Sequence, residues 1–118
     1  MLEKNKEANP MTEMKMTDQT FHEAMQQTEK PVLVEFWAPW CVYCRRIAPA
    51  MEKVVAQYED KVQIGQVNID DFPALAEAEE IELVPTFCLY QNGKRMASMV
   101  APGSKAAIDS FLAEHCNL

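Results

Sequence analysis

Apolar residues run along this chain in blocks whose spacing changes from one block to the next. Residues 1–12 are polar, carry Pro10 near their end, and predict a disordered extension. From Thr17, with Thr17 and Asp18 as caps, Phe21, Ala24 and Met25 fall on one face of a helix. Glu29-Lys30-Pro31 breaks it. Val32-Leu33-Val34-Glu35-Phe36-Trp37 is almost continuously apolar, as expected of a central strand covered on both faces. Glu35 is its one misfit. A second helix begins at Cys41, where Ile47, Met51, Val54, Val55 and Tyr58 recur at helical spacing, and Pro49 inside it predicts a kink.

Val62, Ile64 and Val67 read as the next strand. Asp71-Phe72-Pro73 opens a third helix, with the proline where its missing N–H does no harm and with Leu75 and Ala78 turned inward. Val84-Pro85-Thr86 leads into a strand at Phe87-Cys88-Leu89-Tyr90. Asn92-Gly93 is a hairpin turn signal, so Arg95 to Val100 pairs back antiparallel. Ser104 caps a last helix that carries Ile108, Phe111 and Leu112 on one face. With a short strand near Glu13–Met16, early alternation gives parallel pairs and the late hairpin an antiparallel edge. The expected fold is α/β, a central mixed sheet flanked by helices on both faces, formed as one domain by residues 13–118.

A length of 118 residues and 48% hydrophobic content support one core without disulfide staples. A net charge of -7 repels phosphates, which argues against nucleic acid and anionic membranes as partners. No apolar stretch approaches a membrane span and the first residues lack the apolar run of a secretory signal, so the expected location is cytoplasmic.

Four cysteines are present. Cys41 and Cys44 are three positions apart, while Cys88 and Cys116 are distant from them and from each other. That pattern suits a reactive pair plus an inert core thiol at Cys88 and an exposed, incidental one at Cys116. Cys41 and Cys44 lie where a strand's carboxyl end meets a helix start, a preferred place for reactive groups in open α/β sheets. On a helix their spacing brings both sulfurs to one face, close enough to bond. The unpaired N–H groups of the helix tip favour thiolate, so the Cys41 pKa is expected below the free value of ~8.5. Arg45 and Arg46 add positive potential or are simply solvated. Zinc and iron–sulfur ligation fail for want of a second ligand pair, since His22 and His115 sit near opposite ends. Glu35 is either an acid–base group with a raised pKa or a carboxylate paired with a cation such as Lys61.

Together these segments resemble the thioredoxin family. Val34-Glu35-Phe36-Trp37-Ala38-Pro39-Trp40-Cys41-x-x-Cys44 resembles its active-site segment, and Ile47-Ala48-Pro49 the helix that follows. Val67-Asn68-Ile69-Asp70 is similar to its third-strand motif, Val84-Pro85-Thr86 to its cis-proline loop, and Asn92-Gly93 to its hairpin. The match runs in order from about Met14 to Leu112.

The resemblance implies a redox-active Cys41–Cys44 disulfide with no bound cofactor or metal. Cys41 attacks a substrate disulfide and Cys44 resolves the mixed disulfide. It implies proton transfer by Glu35, where the family has a buried aspartate, and a substrate groove at Trp40, Val84, Pro85 and Ala101. Trp37 and Pro49 belong to the structural frame. The implied partners are disulfide-containing proteins and a reductase drawing on NADPH or ferredoxin, with the chain a monomer.

Four other residues depart from the family. Val42-Tyr43 replaces a glycine–proline pair and tunes the reduction potential. Gln66 stands where a lysine is usual, which makes Glu35 harder to ionise. Ala101 replaces a common glycine. The expected function is therefore a protein-disulfide reductase. The alternatives are an oxidase or isomerase with a more oxidising pair, and a non-catalytic binding module using the same groove.

Overall fold

A computed structural model describes residues 14–27 and 29–116. The polar extension read over residues 1–12 lies outside these described residues. Five strands are β1 (Met14–Lys15), β2 (Val32–Trp37), β3 (Gln63–Asn68), β4 (Thr86–Gln91) and β5 (Lys94–Val100). Four helices are α1 (Asp18–Gln26), α2 (Val42–Tyr58), α3 (Pro73–Ala78) and α4 (Lys105–His115).

One sheet holds all five strands in the order β1-β3-β2-β4-β5. β1 and β2 pair parallel with β3, while β4 runs antiparallel to both β2 and β5. The mixed sheet expected from the order of elements is thus the sheet observed. Asn92 and Gly93 close the β4–β5 hairpin at φ +55° and +78°, the left-handed backbone that a tight primed turn requires. At Gly65 in β3 an added Cβ would approach Met16 Cε to 2.5 Å, so any side chain there would have to displace the Met16 side chain.

Alternation along the strands divides the core in two. Leu33, Ile64, Phe87 and Leu89 point to one face, where Ile47, Met51, Val54 and Val55 of α2 and Ile108, Phe111 and Leu112 of α4 cover them. Val32, Val34, Phe36, Val67, Cys88 and Tyr90 point to the other, against Phe21 and Ala24 of α1 and Leu75 of α3. Central strand β2 is buried from Val32 to Phe36, Glu35 included. It therefore reads as a continuous apolar run rather than an alternating one.

Caps act as the side chains suggest. Thr17 and Thr20 form a reciprocal box at the start of α1, and Ser104 accepts the Ala107 N–H at the start of α4. Pro73 takes the first turn of α3. Helix α2 continues through Pro49, which sits on its exposed side.

Two expectations need correction. Ala78 is exposed and Ala76 is the buried alanine of α3. A six-residue helix is too short for periodicity to fix its face, and Ala78 is its last residue. Cys116 is half-buried, not exposed, because its N–H closes the end of α4 on the Leu112 carbonyl and holds it against the core. No helix among the described residues is long and apolar enough to cross a membrane.

Candidate functional site

The chain leaves β2 at Trp37 and enters α2 at Val42, and the four residues between them build the head of the site. Ala38 is fully buried and its carbonyl accepts the Cys41 N–H, which tightens the turn. Cys41 is the N-cap of α2, with extended backbone, and its Sγ accepts the Cys44 N–H at 3.1 Å. A helix tip leaves its first N–H groups without intrahelical partners. Here a sulfur takes the place that a serine or aspartate oxygen usually fills.

Cys41 and Cys44 are joined by a disulfide with a Cα–Cα separation of 5.3 Å, within the usual range. Accessibility does not separate the two residues. Each residue is 5% exposed. What separates them is surroundings: Cys41 Sγ is held by a helix-tip N–H, while Cys44 faces inward.

Cys44 lines a cavity of about 140 Å³ together with Glu35, Trp37, Arg45, Ala48 and Gln66. Glu35 is 4% exposed. It stands opposite Gln66 in the β2–β3 register, on the α2 face of the sheet. The wall formed by Ala48 is one the sequence did not single out; its place one turn after Cys44 was the available signal. Lys61, weighed as a cation for Glu35, is exposed.

Around the disulfide, Trp37, Ile69 and Val84 pack against the small cluster of Ala38, Cys41 and Cys44. The Val84–Pro85 peptide is cis, and the Pro85 carbonyl accepts the Ala101 N–H at 2.8 Å. That bond joins the residues expected to line the groove. Ala101 adopts φ +47°, in the left-handed region.

Trp40 is 62% exposed and its indole N–H donates to Asp70 at 3.2 Å, while the Asp70 N–H donates to the Asn68 side chain. Asp70 belongs to a segment the sequence marked only as a strand motif. Val42, Tyr43 and Leu83 are exposed large apolar groups. The Arg46 guanidinium lies over the Tyr43 ring, 5.7 Å from its centre, and Arg45 donates to the Pro39 carbonyl.

Cys88 is fully buried, and burial pushes its thiol up despite the Arg95 guanidinium donating to its Sγ at 3.5 Å. Burial also raises the Cys116 thiol. Both effects disfavour thiolate and leave the Cys41–Cys44 pair as the redox centre.

Residues 12–114 match the family profile described as Thioredoxin. Thioredoxin 1 of Synechococcus elongatus is 36% identical over 100 residues, which are 85% of this chain and 94% of the relative. The thioredoxin of Buchnera aphidicola is 36% identical over 104 residues, 88% of this chain and 96% of the relative. The chloroplastic M-type thioredoxin of Chlamydomonas reinhardtii is 33% identical over 102 residues, 86% of this chain and 73% of the relative.

Proposed function

Because this chain belongs to the thioredoxin family and is a dithiol–disulfide oxidoreductase working through its own cysteine pair, we propose that it reduces protein disulfides with Cys41 as nucleophile and Cys44 as resolving thiol. The observation that carries this assignment is the N–H of Cys44 aimed at Cys41 Sγ. In the reduced protein that donor and the positive end of α2 favour a thiolate at Cys41 over one at Cys44.

The Cys41 thiolate attacks one sulfur of a substrate disulfide. A mixed disulfide forms and the other substrate sulfur leaves as thiolate. Cys44 then loses its proton and attacks Cys41 Sγ, and the second substrate sulfur leaves. Two electrons have passed to the substrate, and the Cys41–Cys44 disulfide remains. Holding Cys44 in place makes this second step intramolecular, which favours it by several powers of ten in effective concentration.

Glu35 is the group proposed to take the Cys44 proton. It shares the 140 Å³ cavity with Cys44, which has room for water to carry a proton between them. Gln66 lines the same space as a neutral amide and sets the polarity around that acid. Trp37 walls the cavity, and Pro49 stands on the outer side of the helix that carries the pair.

The proposed substrate groove is formed by Trp40, Val84, Pro85 and Ala101, across which an extended peptide lays its backbone against Val84. Val84 packing on the dithiol cluster and the bond from Ala101 to Pro85 support this reading. Val42 and Tyr43 tune the potential of the pair between which they lie.

The family acts on disulfide-bearing proteins and is recharged by reductases. A reductase using NADPH or ferredoxin, a role in electron transport, a cytoplasmic location, a monomeric state and a single domain over residues 13–118 complete the proposal. Insulin reduction with dithiothreitol tests it: the wild type is active, Cys41→Ser is inactive, and Cys44→Ser accumulates the mixed disulfide. Equilibration with glutathione buffers fixes the direction, since a potential near that of the oxidising disulfide exchangers would make this an oxidase or isomerase.

A further inference from the structure

We propose that Tyr43 and Arg46 form a substrate subsite that favours disulfides flanked by an acidic residue; the inference rests on the dithiol assignment above. Tyr43 lies between the two active cysteines, is 61% exposed, and offers an aromatic face beside the disulfide. Arg46 follows it by three positions in the first turns of α2, and its guanidinium sits 5.7 Å over the ring centre. The cation is held near the ring face by its charge, and a guanidinium carries five N–H donors, so an exposed Arg46 keeps donors for a carboxylate.

The two neighbouring arginines differ in what they can do. Arg45 gives its guanidinium N–H to the Pro39 carbonyl at 2.8 Å and so serves the turn before the helix. Among the described residues no carboxylate pairs with Arg46, and the first turn of α2 contains no acidic residue. The chain as a whole carries a net charge of -7. An acidic peptide is therefore repelled by the net charge of this protein and drawn to the rim where Arg46 stands beside the dithiol. The aromatic body receives the aliphatic part of a glutamate, and the exposed Val42 next to it in the chain suits an apolar neighbour.

The test uses three short peptides, each closed by one disulfide and identical except for Glu, Gln or Lys beside the reactive cysteine. Their kcat/KM is measured with the full chain and dithiothreitol. The expected order is Glu above Gln above Lys, with Glu over Lys by roughly five-fold at low salt, as for an exposed ion pair. High salt brings the ratio towards one. Arg46→Gln removes the preference, Arg45→Gln and Tyr43→Phe keep it, and Tyr43→Ala weakens it by releasing the guanidinium. Ratios between peptides cancel any change in Cys41 acidity that a lost charge brings. Equal rates for all three peptides, or a preference that survives Arg46→Gln, overturn the subsite alone. Failure of the wild type to reduce any of them sinks the dithiol assignment and the subsite with it.

Discussion

The backbone N–H of Cys44 points at Cys41 Sγ from 3.1 Å, so one active cysteine caps the helix on which the other rides. Equal burial of the two residues means that this bond, not exposure, is what distinguishes their sulfurs.

The first prediction concerns acidity. In the reduced protein Cys41 should titrate below the free-thiol value of ~8.5, and Cys44 above Cys41. Iodoacetamide labelling against pH, read by peptide mass, checks it. Cys41 should be alkylated first at every pH below neutrality. Simultaneous labelling of both residues would contradict the role given to the helix tip.

Glu35→Gln keeps the shape of the side chain and removes its proton-accepting form. The first attack should change little, whereas release of the mixed disulfide should slow by on the order of ten- to a hundred-fold near neutral pH. Stopped-flow tryptophan fluorescence separates the two steps. An unchanged release rate would remove Glu35 from the mechanism.

Ala101 holds φ +47°, where a Cβ crowds the following carbonyl. Ala101→Gly should raise stability by up to about 1 kcal/mol, the relieved strain being partly offset by the greater freedom of glycine in the unfolded chain. Urea unfolding of the oxidised protein measures the change. A loss of stability would mean that the methyl group contributes packing that outweighs its strain.

Tyr58 on α2 donates to Asp109 on α4 at 2.7 Å, and Lys105 reaches the same carboxylate at 2.8 Å. Burial and the Asp109 carboxylate push the Tyr58 hydroxyl up to about 12. Lys105 and Tyr58 pull Asp109 below its usual range. A raised folded pKa gives Tyr58 a contribution that is complete below about 10 and lost as pH climbs towards about 12. Asp109 is the opposite case: its contribution is present above the ordinary carboxylate range and disappears as pH falls through its lowered folded pKa. Tyr58→Phe should cost about 1 kcal/mol at neutral pH and flatten the alkaline limb of the stability profile. Thermal melts from pH 7 to 12 check both.

Much of this protein was legible in its residues. The apolar run around Glu35, the helical spacing from Ile47 to Tyr58, and Asn92-Gly93 dictated β2, α2 and the hairpin through local sterics and one-sided burial. The position of Cys41 and Cys44 between strand and helix announced the chemistry, and Glu35 announced itself as the acid out of place. Period within an element tells which face turns inward, but it does not say what that face meets. Only strand order and helix docking brought Glu35 and Gln66 to one cavity with Cys44, set Asp70 under the Trp40 indole, and clasped Tyr58 to Asp109. Those partners are separated along the chain by up to 51 positions, and close contact between them is fixed by the packing of whole layers, which no local pattern records.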